Sequence, residues 1–193
     1  MSHSEDLSQL RMIWPKDFLG QKIDHCPPQD YQIRLYQKGD EESFFKIMAL
    51  SGWEGWNQAV LDPWLAKIIP NSWFMLIHIK SKNIVSTAMG LHNYKGIYPF
   101  WSELGWLASD PEHSGKGLGY VVSASVTERL MEAGYQYIQL FTEDFRLPAI
   151  KTYLKLGYIP SIIEDGQLER WKRIFNSLDW PFQPGNWTTI KDA

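Results

Sequence analysis

The chain has 193 residues, 44% of them hydrophobic and 21% charged, with a formal net charge of -3; this suits one buried core and excludes the disordered class. No long Lys/Arg run occurs, so the electrostatic footprint of a nucleic-acid or anionic-membrane binder is missing. Cys26 is the only cysteine, which excludes an intramolecular disulfide framework and a multi-Cys metal site.

The histidines His3, His25, His78, His92 and His113 form no i, i+4 pair, so no metal is expected. Met1 to Gly20 carries Glu5 and Asp6 and no continuous apolar stretch, unlike a secretory signal. The longest strongly apolar run, Trp73 to Ile79, is too short to cross a bilayer. A soluble, cytoplasmic protein is the expectation.

Residues 1–30, ending in Pro27-Pro28, read as an N-terminal leader. Tyr31, Ile33 and Leu35 alternate with Gln32 and Arg34, the pattern of a half-buried strand. Asp40, Glu41 and Glu42 supply a cap and negative charge for a helix carrying Phe44, Phe45, Ile47 and Met48, which Ser51-Gly52 ends. Asp62-Pro63 reads as the start of a short helix that Pro70 stops. Trp73 to Lys80 and Ile84 to Asn93, joined at Ser81-Lys82-Asn83, form an expected hairpin. Phe100 to Ser109 is a further strand, Leu118 to Ala133 an amphipathic helix closed by Gly134, and Tyr137 to Phe141 another strand. Pro148 to Leu156 reads as a helix capped by Gly157, and Gln167 to Leu178 as the last helix.

Strands and helices alternate in the second half, which implies a parallel crossover joined to an antiparallel first half. The expected fold class is α/β, a mixed sheet with helices on both faces. One domain is expected over 31–160, completed by a C-terminal helix and tail at 161–193.

The chemistry lies where the strand at Glu103 to Ser109 runs through Asp110-Pro-Glu-His-Ser-Gly-Lys-Gly-Leu-Gly119 into a helix. Gly115, Gly117 and Gly119 permit left-handed backbone and close approach of a ligand. Successive amides there, with the positive end of the helix dipole, suit the oxygens of a diphosphate. The glycines also suit a merely flexible turn; their spacing fits neither a mononucleotide nor a dinucleotide loop.

This segment resembles the acyl-CoA pyrophosphate loop of the GNAT superfamily of N-acetyltransferases. Ala149-Ile-Lys-Thr-Tyr-Leu-Lys-Leu-Gly-Tyr158 resembles a later helix of the same family, and the resemblance is clearest over residues 100–160. It implies acetyl-CoA as cosubstrate, with Ser114, Gly115, Lys116, Gly117, Leu118 and Gly119 at the diphosphate. The backbone of Leu107, Ala108 and Ser109 would bind the pantetheine arm like an added strand, and Arg146 stands at a further cofactor position. The family usually has Arg or Gln at Ser114, Val at Ser109 and Asn at Arg146. The implied activity is direct acetyl transfer to an amine of a small-molecule acceptor in a ternary complex, without metal or covalent enzyme intermediate.

Tyr153 matches the family tyrosine that protonates the leaving thiolate. Glu103, on a face expected to carry Trp101, Gly105 and Leu107, is the candidate general base. Trp53, Trp56, Trp64 and Trp101 come from segments that border the acceptor pocket in the family, though aromatics equally fill cores. His113 reads as a solvated loop residue. A non-catalytic acyl-CoA sensor on the same fold, and an acyltransferase with another acyl chain or acceptor atom, are the alternatives. A homodimer is allowed by the sequence.

Overall fold

The computed structural model describes residues 8–92 and 100–187. Residues 1–7 of the expected leader, Asn93 and the end of the tail lie outside the described residues. The expected α/β class with a mixed sheet holds, with seven strands and five α-helices among the described residues. The chain divides into two compact units, residues 16–138 and residues 1–15 with 139–193.

In the larger unit, β2 (Tyr31–Leu35) precedes α1 (Glu41–Leu50) and α2 (Gln58–Leu65). Then come β3 (Ile68–His78), β4 (Ile84–His92), β5 (Trp101–Ser109) and α3 (Leu118–Glu132). The strands run β2-β3-β4-β5, each pair antiparallel. Phe44, Ile47 and Met48 of α1 pack with Trp73, Met75, Met89 and Leu91 in one core. A side chain at Gly90, next to both Met89 and Leu91, would instead meet Leu130 of α3. Successive strand residues point to opposite faces, so α1 and α3 cover opposite sides of these strands. Sandwiched this way, β4 is buried from Ile84 to Leu91 despite Ser86 and Thr87. Both hydroxyls are satisfied: Ser86 donates to Ala108 O at 3.1 Å and Thr87 to Phe74 O at 2.9 Å.

Two prolines sit differently from the expectation. Asn57, not Asp62, caps α2, its side-chain oxygen accepting from Val60 N at 3.2 Å. Pro63 lies inside the helix, where one missing N–H matters little because the helix ends two residues on. Pro70 lies within β3, in an irregularity where the register jumps from Ile68↔Leu91 to Trp73↔Met89. Four residues there oppose Gly90 alone, so a proline without a ladder bond is tolerated. The fold-over brings Ser72 Oγ within 2.8 Å of where a Cβ on residue 90 would sit, which makes glycine necessary.

The smaller unit holds β1 (Leu10–Ile13), α4 (Leu147–Leu156), β7 (Ile159–Ser161) and α5 (Gln167–Ser177), together with Gln139 to Thr142 of β6 (Tyr137–Thr142). Strand β1, inside the expected leader, pairs antiparallel with both β6 and β7. All four of its residues are buried, so no polar alternation marks it in the sequence. Arg11, 1% exposed, donates through Nη2 to Ser161 Oγ at 2.9 Å. Gly157, at φ 112°, ends α4, with Tyr158 N donating to Tyr153 O at 3.0 Å.

Candidate active site

Strand β5 contains a bulge. Its pairing passes from Met89↔Gly105 to Thr87↔Ala108, so Ala88 alone faces Trp106 and Leu107. Trp106 has φ 53°, a left-handed conformation that costs a bulky residue about 1–2 kcal/mol. The extra residue switches which faces the side chains take. Glu103 and Gly105 lie on the α1 face with Leu91, and Ala108 joins the same core. Leu107 turns to α3, where its methyls lie 3.8 and 3.9 Å from a Cβ built on Gly119. The face expected to join Glu103 with Leu107 therefore does not exist beyond Gly105.

Glu103 is 5% exposed, and a Cβ on Gly105 would be 3.8 Å from its Oε1. A carboxylate is rarely buried without a role. At the end of β5, Ser51, just after α1, engages both backbone groups of Ser109: its hydroxyl accepts from Ser109 N at 3.0 Å and donates to Ser109 O at 3.1 Å. Strand-like pairing of a ligand with Ser109 would require Ser51 to give way.

The turn after β5 opens on Asp110, whose Oδ1 accepts from Glu112 N at 2.9 Å. Gly115 and Gly117 take left-handed φ values of 77° and 74°, and a Cβ on either would meet nothing within 4 Å. The turn is therefore unobstructed by its own side chains. Ser114 to Gly117 are exposed, while Leu118 is buried beneath them. Among the described residues, the amides of Gly115, Lys116, Gly117, Leu118, Gly119 and Tyr120 have no acceptor within the chain. Six free donors at the positive end of a 15-residue helix, with no acidic residue in its first turn, suit a diphosphate. His113 is not free in solvent: its Nδ1 is 2.8 Å from Tyr31 Oη, and its ring packs edge-on to His78.

In the smaller unit, Tyr153 of α4 is 6% exposed, with its ring 6.2 Å from that of Tyr158. Arg146, at the N-cap of α4, donates through Nε to Glu143 at 2.6 Å and lies 5.1 Å from the Phe145 ring. Its guanidinium is thus held by a carboxylate and a ring.

The tryptophans named from the sequence separate into two groups. Trp53, Trp56 and Trp64 all pack edge-to-face on Trp106, at 5.2, 4.7 and 4.9 Å. Trp101 instead stacks on Tyr137 at 5.0 Å. Trp106, Ser51 and Tyr31 are the residues of this region that sequence reasoning missed, because their partners are remote in the chain.

The model of the acetyltransferase (GNAT) family matches residues 40–158. No curated protein matches the chain. Among solved structures it is similar to a GCN5-related N-acetyltransferase from Sphaerobacter thermophilus, at TM-score 0.63 and 17% identity over 79% of this chain and 48% of that one. It is similar to a GCN5-related N-acetyltransferase from Kribbella flavida, at 0.54 and 18% over 80% and 55%. A third likeness is to the ribosomal-protein-S18-alanine N-acetyltransferase from Escherichia coli, at 0.52 and 17% over 66% and 76%. The chain spans about half the length of the first two. At these identities the likeness is one of fold.

Proposed function

This chain belongs to the GNAT family of acetyltransferases, and from that premise we propose that it transfers the acetyl group of acetyl-CoA to an amine by direct attack in a ternary complex. The observation that carries the reading is the open glycine turn with six consecutive free amides from Gly115 to Tyr120. Those amides would hold the diphosphate, with Lys116 adding a mobile cation and Ser114 a hydroxyl. Leu118 anchors the turn from below. The backbone of Leu107 and Ala108, and of Ser109 once Ser51 yields, would receive the pantetheine arm, and Arg146 would contribute once released from Glu143.

The thioester supplies an activated acyl carbon and a thiolate leaving group. The amine nitrogen forms the new bond to carbon and the carbon–sulfur bond breaks. Glu103 takes the amine proton, directly or through water, and Tyr153 returns a proton to the sulfur. A backbone amide near Leu107 or Ala108 would meet the developing oxyanion. The burial of Glu103 supports its assignment, since a carboxylate is rarely buried without a role. Trp53, Trp56 and Trp64, gathered on Trp106, offer an apolar wall on the Glu103 face of β5 for the body of a small-molecule amine. The proposal places the protein in the cytoplasm, where an exposed thiol such as Cys26 stays reduced.

Calorimetric titration with acetyl-CoA tests the reading, followed by thiol release over a panel of amines. Binding with Kd between about 1 μM and 1 mM is expected, the usual range for enzyme substrates. No binding at millimolar concentration would remove the proposal.

A further inference from the structure

The glycine turn has a tether outside the loop motif. Tyr31, the first residue of β2, is 5% exposed, and its hydroxyl meets the turn at two points, His113 before the glycines and Lys116 between them. His113 Nδ1 lies 2.8 Å from Tyr31 Oη, and Lys116 Nζ donates to the same oxygen at 2.9 Å. The Lys116 ammonium is also 5.5 Å from the Tyr31 ring centre. The His78 ring packs on both Tyr31 and His113, at 5.4 and 4.9 Å, and its Nδ1 is 2.9 Å from Ser81 Oγ.

Tyr31 is itself firmly set. It stands opposite His78 in the β2–β3 ladder and its amide donates to Pro28 O at 2.9 Å. The turn it touches is the reverse: two left-handed glycines with nothing packed against them. Such a segment loses backbone freedom when a ligand fixes it, and that loss weakens binding unless the segment is already ordered. A single hydroxyl that reaches both His113 and Lys116 supplies that order. An ammonium has three donors, so Lys116 can spend one on Tyr31 and keep two for phosphate oxygens.

We infer that Tyr31 is a positioning residue that, through His113 and Lys116, holds the glycine turn in its diphosphate-binding conformation. The inference rests on the reading of that turn as a CoA diphosphate site. It makes a specific demand: loss of the hydroxyl weakens ligands that carry the diphosphate and leaves ligands that lack it unaffected.

The test titrates the Tyr31→Phe variant with CoA by calorimetry and follows pantetheine, which has no diphosphate, by ligand-observed NMR. Losing one hydrogen-bonding hub is expected to raise the Kd for CoA about fivefold while pantetheine binding stays at the wild-type level. His113→Ala, at a half-buried position, removes one arm of the tether while leaving the Tyr31 side chain in place, and should show the same selective loss should Tyr31→Phe fail to fold. Unchanged CoA affinity, or equal weakening of both ligands, would overturn the inference. Absence of CoA binding by the wild-type chain would sink the proposed function and this inference together. Normal wild-type binding with an indifferent Tyr31→Phe sinks the inference alone.

Discussion

Two side chains carry the proton transfers proposed here, and both are buried, so burial alone does not separate chemistry from packing. Tyr153 keeps its ring in the smaller unit's interior. Its hydroxyl is the only atom removed in Tyr153→Phe, and the ring contact with Tyr158 survives. A general acid contributes about 100- to 10,000-fold to a rate. Tyr153→Phe is therefore expected to slow amine-dependent thiol release by about 100-fold or more, with the Kd for acetyl-CoA within about twofold of wild type. Calorimetry and steady-state kinetics check the pair of numbers; an unchanged kcat would reduce Tyr153 to a packing residue. At this scale the sequence was legible wherever the signal was local. Gly115, Gly117 and Leu118 stand in a turn that one stretch of ten residues spells out, and the structure keeps that turn open. Tyr31 and Ser51 were invisible because their hydroxyls act across 82 and 58 residues of chain, and no local pattern marks such a pairing.

At the scale of the element, β5 combines a well-read strand with an unread bulge. Its expected span, Phe100 to Ser109, differs by one residue from Trp101–Ser109. The bulge escaped because its left-handed residue is tryptophan, where a glycine would have announced the turn of the backbone. Strand β1 escaped for the complementary reason, being too short and too evenly buried to show a period. Trp106 tolerates its conformation because three indoles pack on it, and that balance makes an ordering of variants predictable. Trp106→Ala loses the three edge-to-face contacts and keeps a Cβ in the left-handed region. Trp106→Gly loses the same contacts and drops the Cβ penalty. Both are expected to be less stable than wild type, with the glycine variant more stable than the alanine variant by about 1 kcal/mol. Urea unfolding of the three proteins measures this. An alanine variant at least as stable as the glycine variant would mean that the backbone relaxes out of the bulge when the indole leaves.

For the molecule as a whole, a polar knot where β2 meets the start of α1 ties stability to pH at both ends of the scale. Asp40 stands at the N-cap of α1 but makes no cap bond; its carboxylate accepts from both terminal nitrogens of Arg34, at 2.6 and 2.8 Å, and from Gln37 N. That pairing holds the Asp40 carboxyl below its ordinary value. Next to it, the Tyr36 hydroxyl donates to Glu41, which lowers the Glu41 carboxyl. Burial, and then the same bond to Glu41, push the Tyr36 phenol up to about 12. The signs follow directly. Carboxyls lowered by folding stabilise the native state above their ordinary values, and that contribution disappears as pH falls through the lowered ones, below about 4. A phenol raised by folding stabilises the native state below about 10, and that contribution drains away as pH climbs from there to about 12. The urea midpoint should therefore be level between about pH 5 and pH 9 and fall on both sides. Because one hydrogen bond serves both Tyr36 and Glu41, Tyr36→Phe is expected to soften both limbs at once, while its stacking on Trp73 at 4.0 Å keeps the core intact. Asp40→Asn removes one carboxyl and should soften chiefly the acid limb, since the Asp40 charge is the smallest of the influences that raise the Tyr36 phenol. A Tyr36→Phe profile that changes only above pH 10 would show that burial, without the bond to Glu41, accounts for the phenol.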